Sequence, residues 1–241
     1  MKNVRKIAVI AIAGCLSLTV LAGLAGCSGG SSSSSSASAS SSAAAQSQNA
    51  PAATAQFSED ELLSGKHHAV IQVEGYDPIT VEMDADAAPI TVTNFVNLAN
   101  NSYYNGKTFY RIVEDFCLQG GTLGNSASGN DSSLDTITGE FSSNGVENPL
   151  ADNFDRGTVA MARTTLPNSA TSTFFITLGS SSQVGASLDG QYAAFGTIGE
   201  EGMAIVDAIV ADYIANVDNS QMGTISDETK QPIIESITVT D

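Results

Sequence analysis

Between Ser28 and Gly65 the chain is built from Ser, Ala, Gly and Gln with hardly any large apolar side chain. Such a stretch cannot bury enough apolar surface to offset the entropy of ordering it, so whatever folds must be assembled from the residues that follow. Of the 241 residues, those from Lys66 onward suffice for one globular domain. The Ser/Ala-rich stretch reads as a tether. As a flexible coil of roughly 38 residues it would have a root-mean-square span of about 35 Å, and it would reach roughly 120 to 135 Å if fully extended.

The residues ahead of the tether have another character. MKNVRK is a short cationic start, and IAVIAIAGCLSLTVLAGLAG is an apolar run ending in small residues, the arrangement of an export signal rather than of a folded element. Leu24 to Cys27, LAGC, resembles the bacterial lipobox, in which the cysteine is lipidated and becomes the new N-terminus. The resemblance implies a signal peptide over 1–26, a lipidated Cys27 opening a tether over 27–65, and a domain over 66–241. An uncleaved signal anchor, or processing at IAGC ending in Cys15, are the alternatives, and each attaches the chain to a membrane in a similar way. The expected place is the extracytoplasmic face of the cell membrane.

Cleavage before Cys27 removes Lys2, Arg5 and Lys6, leaving six Lys and Arg against 26 Asp and Glu and a formal charge of −20. That field repels polyphosphates, which argues against nucleic-acid binding, and it would not hold the domain on an anionic bilayer. Lipid has to do the holding. With Cys15 removed and Cys27 acylated, Cys117 has no partner for an internal disulfide. His67 and His68 lack nearby Cys and the spacing of a structural zinc site, so no metal is expected.

From His67 the pattern becomes regular. AVIQVEGYDPITVEMD alternates apolar and polar residues on both sides of a Gly-Tyr-Asp-Pro break, as a hairpin with one buried face does. APITVTNFVNLANN has Pro89 at a helix start and an apolar stripe of Val92, Phe95, Val96 and Ala99. Strands are readable at KTFYRIV, GTVAMAR, STFFITL, YAAFGTI and IIESITVT, and a second helix at EGMAIVDAIVADYI. Strands in runs with two helices favour an antiparallel barrel or sandwich over alternating β-α units.

The Gly/Ser/Asn-rich stretch over 120–157 is long for a compact domain, and such a loop is usually functional or disordered. It lacks the lysine and the strand-loop-helix context of a phosphate-binding loop. GNSASG falls short of a nucleophile elbow because its fifth position is Ser128, and the only histidines lie at the start of the domain.

FYRIVEDFCLQGG, Phe109 to Gly121, places an arginine among aromatic and branched side chains in a chain with few cations. Read as a strand, Phe109, Arg111 and Val113 share one face, and Tyr110 and Ile112 the other. An edge-strand arginine with its head in water is one explanation. The segment also resembles the cyclophilin stretch that carries the catalytic arginine, a pocket phenylalanine and the glutamine of a Gln-Gly-Gly turn. GTVAMARTTLPNSATSTFF resembles the family's strand-loop-strand, and LDGQYAAFG its Leu-Asp-Gly turn. The three blocks occur in family order, over a resemblance running from about His67 to the C-terminus.

The resemblance implies a mainly β fold, a closed eight-stranded antiparallel barrel capped by two helices, and peptidyl-prolyl cis-trans isomerase activity without metal or cofactor. It makes Arg111 the catalytic cation and Gln119 a substrate-orienting hydrogen bonder. Phe116, Cys117, Met161, Phe175, Leu188 and Tyr192 would form the recess for a proline ring, with Ala162 and Arg163 offering backbone to the peptide. Phe174 is expected in the core, because alternation sends the two adjacent rings to opposite faces. Partners are then Xaa-Pro segments of exported proteins and the bilayer held through Cys27, with the domain a monomer. Two departures stand out. Thr173 replaces the family's groove glutamine, which keeps open a non-catalytic proline-binding module or holdase; Ser187 stands where many eukaryotic members place a tryptophan.

Overall fold

Eight strands form one sheet in the computed structural model, which describes residues 51–55, 57–127 and 131–241. The expected signal peptide, both candidate lipidation cysteines and most of the tether lie outside the described residues. The strands are β1 (Lys66–Val73), β2 (Ile79–Asp84), β3 (Phe109–Val113), β4 (Cys117–Gly120), β5 (Thr158–Met161), β6 (Phe174–Thr177), β7 (Ala194–Thr197) and β8 (Ile234–Val239). All neighbours are antiparallel, in the order β3-β4-β6-β5-β7-β2-β1-β8.

The sheet curls into a half-barrel rather than the expected closed barrel. Thr108 bridges Ile233, and Phe109 N donates to Pro232 O at 3.0 Å, so the starts of β3 and β8 meet. Farther along, the outer edge of β3 is taken by another segment: Ile112 N donates to Gly223 O at 2.9 Å and Ile225 N to Tyr110 O at 2.8 Å. That segment stands where continuous β3–β8 pairing would have to run.

Among the described residues three α-helices accompany the sheet, one more than expected: α1 (Pro89–Asn100), α2 (Ser181–Leu188) and α3 (Glu200–Tyr213). The sequence SSQVGASL of α2 is too short and too polar to announce itself by periodicity. Its start is fixed by a capping box, with Gln183 Oε1 accepting from Ser180 N at 2.8 Å. Strand β4 also escaped the strand reading. It is four residues long and follows a turn in which Asp115 has φ 57°.

Side-chain alternation gives the central strands two apolar faces. Val159 and Met161, Phe174 and Ile176, Leu118, and Phe195 enter the main core with α1 and α3. Ala160, Phe175, Cys117 and Ala194, their neighbours in sequence, join a second cluster with Val184 and Leu188 of α2 and with Phe141, Ala151 and Phe154. Phe174 is the hub of the first, meeting Phe95, Tyr104 and Phe109 edge-on at 5.6, 5.7 and 5.8 Å. Each such aromatic pair contributes roughly 0.5–1.5 kcal/mol beyond area burial.

The tether reading ends too late. Residues 51–65 lie along the domain: Thr54 N and Ala55 N donate to Thr136 O, Leu63 N donates to Thr93 Oγ1 at 3.0 Å, and Phe57 and Leu63 pack on the main core. With Leu62 they are the large apolar side chains of an otherwise small and polar stretch. Together with Ala55 they supply burial that the Ser/Ala-rich residues before them lack.

The long stretch after β4 is structural along much of its length. Asn148 Nδ2 donates to Glu140 O at 2.8 Å and to Ala194 O at 2.9 Å, which ties the stretch to β7. The buried Glu140 carboxylate caps α1 from a distance, accepting from Ile90 N at 3.0 Å, Thr91 N at 2.8 Å and Thr91 Oγ1 at 2.6 Å. The two N–H groups belong to the first turn and have no intrahelical partner, at the positive end of the helix dipole. Burial pushes the Glu140 carboxyl above the usual range, while the three donors pull it back. Glu140→Ala leaves these donors unmet, those of Thr91 buried and that of Ile90 partly so, so it should lower stability by about 2 kcal/mol and the melting temperature by roughly 4–8 °C, read by calorimetry.

Candidate active site

Arg111 is placed by an irregularity in β3. Phe109 pairs with Gly120 and Arg111 with Gln119, so Tyr110 is an extra residue on the β3 side, a bulge. The bulge overturns the simple alternation read from sequence: Phe109 and Ile112 both enter the main core. Tyr110 instead sends its hydroxyl to Gln119, accepting from Nε2 at 2.5 Å. Burial raises the Tyr110 phenol to about 12, so it stays neutral and serves as a fixed acceptor.

The guanidinium is held on two sides. Nε donates to Met222 O at 2.8 Å, and Nη1 donates to Gln119 Oε1 at 2.9 Å and to Cys117 Sγ at 3.3 Å. Its Cζ lies 5.9 Å from the centre of the Phe116 ring. Among the described residues no carboxylate forms an ion pair with it, and Nη2 has no protein hydrogen-bond partner. The Met222 carbonyl is delivered by a tight turn. Gly223 has φ +86°, and a Cβ there would lie 2.3 Å from Ile112 O, so only glycine lets the turn approach β3 this closely.

Register carries the site across the sheet. Arg111 opposes Gln119, Gln119 opposes Phe175, and Phe175 opposes Ala160. In an antiparallel sheet residues directly opposite share a face, so these four form one row on the second cluster's side. Phe175 is the floor, with Tyr192 edge-on at 5.5 Å and Phe154 stacked at 6.3 Å. Cys117 and Leu188 are buried beneath, and Phe116, Ala162 and Tyr192 are partly exposed around it. Burial pushes the Cys117 thiol up to about 11, so near neutral pH it is an uncharged filler.

Most of the residues expected in the recess are therefore brought together, and Met161 is not. Its side chain enters the main core with Val159, because period-two alternation gives the groove face to Ala160 and Ala162 instead. Ala162 N donates to Thr173 O at 2.8 Å, so what Ala162 can offer a peptide is its carbonyl. Thr173 is half-buried opposite it.

The Arg163 side chain does more than its expected backbone role. Its Cζ sits 5.0 Å from the Phe141 ring centre and 4.9 Å from that of Tyr192. Nε donates to Gln191 O at 2.9 Å and Nη1 to Thr164 O at 2.9 Å. Sequence reasoning missed Tyr110, Met222, Phe141 and Phe154 as parts of this site. The Met-Gly pair at 222–223 carries a usable turn signal, whereas the bulge at Tyr110 leaves none.

Residues 68–239 match the family model described as cyclophilin type peptidyl-prolyl cis-trans isomerase/CLD. A peptidyl-prolyl cis-trans isomerase of Acinetobacter baylyi is 37% identical over 156 residues, which span 64% of this chain and 76% of the relative. Peptidyl-prolyl cis-trans isomerase B of Escherichia coli is 34% identical over 168 residues, 68% of this chain and 94% of the relative. The crystal structure of a Cryptosporidium parvum cyclophilin type isomerase is similar with a TM-score of 0.57 at 23% identity, covering 73% of this chain and 98% of that one, a likeness of fold. A two-faced antiparallel half-barrel, an arginine with one free edge above an aromatic floor, and these matches lead to one statement: the chain belongs to the cyclophilin-type peptidyl-prolyl cis-trans isomerases, a family of enzymes.

Proposed function

We propose that this chain accelerates cis-trans isomerisation of Xaa-Pro bonds in exported proteins, working from a lipid anchor at Cys27 on the outer face of the cytoplasmic membrane. The observation that carries the catalytic part is the Nη2 edge of Arg111, unpaired and without a carboxylate among the described residues, on a cation held by Met222 O and Gln119 beside Phe116. The signal-like N-terminus and the LAGC sequence support the location.

Rotation about the bond is opposed by amide resonance, with a barrier of about 18–20 kcal/mol, so uncatalysed Xaa-Pro isomerisation takes tens to hundreds of seconds. In the twisted transition state the prolyl nitrogen regains a lone pair. A guanidinium N–H aimed at that nitrogen makes a hydrogen bond that is weak in the planar ground state, which is differential stabilisation of the transition state. The ring rests on Phe175 between Phe116 and Tyr192, and the preceding carbonyl turns. Gln119 keeps Nη1 occupied so that the guanidinium plane does not swing. Lowering the barrier by about 7 kcal/mol speeds the step by roughly 10⁵, and no covalent bond is made or broken.

Arg111→Ala should cut kcat/KM by orders of magnitude in a protease-coupled assay while peptide binding persists. Arg111→Lys should also be poor, since an ammonium cannot hold Met222 O and Gln119 and keep a free edge. Unchanged rates in both variants contradict the mechanism; binding without any rate effect in the parent chain favours the proline-binding module instead. Cys27→Ser should release the protein from the membrane fraction, and retention points to a signal anchor. Ser187 is exposed next to Leu188, where it gives cyclosporin no indole to contact. Inhibition should therefore be weak, and a low-nanomolar inhibition constant would refute that.

A further inference from the structure

We infer that Arg163 makes the groove selective for prolyl segments with an acidic residue close to the Xaa-Pro unit; this rests on the isomerase reading of the same groove. The described residues contain six Lys and Arg in a strongly acidic chain. Three are ion-paired: Lys66 with Asp84 at 2.9 Å and Glu82 at 3.3 Å, Arg156 with Asp207 at 2.6 Å, and Lys230 with Asp227 at 3.7 Å. Lys107 lies 4.5 Å over the Tyr103 ring, whose hydroxyl donates to Asp131, and its charge helps hold that carboxyl low. Arg111 and Arg163 are left without a carboxylate. Both belong to the groove.

Contacts connect them. Arg163 stacks on Tyr192, Tyr192 stands edge-on to Phe175, Phe175 opposes Gln119, and Gln119 accepts from Arg111. A peptide whose proline rests on Phe175 therefore passes from one uncompensated cation towards the other. Arg111 is assigned to the prolyl nitrogen, which leaves Arg163 for a neighbouring side chain. The Phe141 and Tyr192 rings lie 5.0 and 4.9 Å from its Cζ, and Nε and Nη1 are engaged by backbone carbonyls. Nη2 has no protein partner among the described residues. A planar donor clamped in this way loses little entropy on meeting a carboxylate, and charge-assisted bonds to it are among the stronger ones. The acidic surface elsewhere repels an acidic peptide, so the attraction is confined to the groove.

The probes are acetylated and amidated hexapeptides around a central Ala-Pro, with one flanking alanine replaced in turn by Glu or by Gln. Isomerisation is followed by NMR exchange with the full chain in mild detergent. At one flanking position, Glu should raise kcat/KM over its Gln twin by about fivefold, equivalent to roughly 1 kcal/mol. Arg163→Gln should bring that ratio close to one, and Arg163→Lys, which keeps the charge, should retain part of it. Equal rates for Glu and Gln at every position overturn the inference and leave the isomerase reading standing. A preference that survives Arg163→Gln also overturns it. If no peptide is turned over, the isomerase reading falls, and the same pairs are compared by NMR titration, where equal affinities reject the acidic preference as well. Should Arg163→Gln fail to fold, the parent comparison together with Arg163→Lys still decides.

Discussion

Two adjacent rings, Phe174 and Phe175, point to opposite sides of β6, and the rest of the molecule follows from that division. One closes the main core against Phe95, Tyr104 and Phe109; the other floors the groove against Tyr192 and Phe154. The constraint is the period of two in an extended chain, and it leaves no freedom for a slip: shifting β6 by one residue would exchange core and groove. The same alternation in β4 and β5 lays Gln119 and Ala160 alongside Phe175 and hides Leu118, Val159 and Met161 behind them. Groove and core are thus two faces of one set of strands, each holding the other in place.

Within that frame the handling of charge is economical. A chain with 26 acidic residues keeps them away from Arg111, whose free edge the reaction needs, and it satisfies the rest of that cation with neutral acceptors, a main-chain carbonyl and an amide oxygen. A carboxylate in either place would bind more strongly. It would also compete for the donor that the reaction requires, and it would spread the positive potential over its own charge. Neutral acceptors fix the direction of a guanidinium without cancelling its field. Tyr110, kept un-ionised by burial, completes the arrangement from behind Gln119.

Much of this was legible in the sequence, for identifiable reasons. The β1–β2 hairpin, α1 and α3 declare themselves through long, regular apolar periods. Arg111, Gln119, Phe175 and Tyr192 stand in short blocks whose order resembles a known family. What escaped notice depended on shorter or more distant relations. Strand β4 and helix α2 are too brief for periodicity, and the resemblance assigns Met161 to the recess although alternation along β5 turns it into the main core. The bulge at Tyr110 is a matter of register between two strands, which no single segment encodes. Residues 51–65 were hidden by composition, since few of them, Ala55, Phe57 and Leu63, carry the burial that docks the segment.

The turn that supplies the Met222 carbonyl lies 111 residues beyond the arginine it steadies. During synthesis β3 leaves the ribosome long before Met222 and Gly223, so the half-formed sheet has its cation but not the clamp that orients it. Enzymatic competence is consequently a late event in the life of each nascent polypeptide, arriving only when nearly the whole domain has been translated.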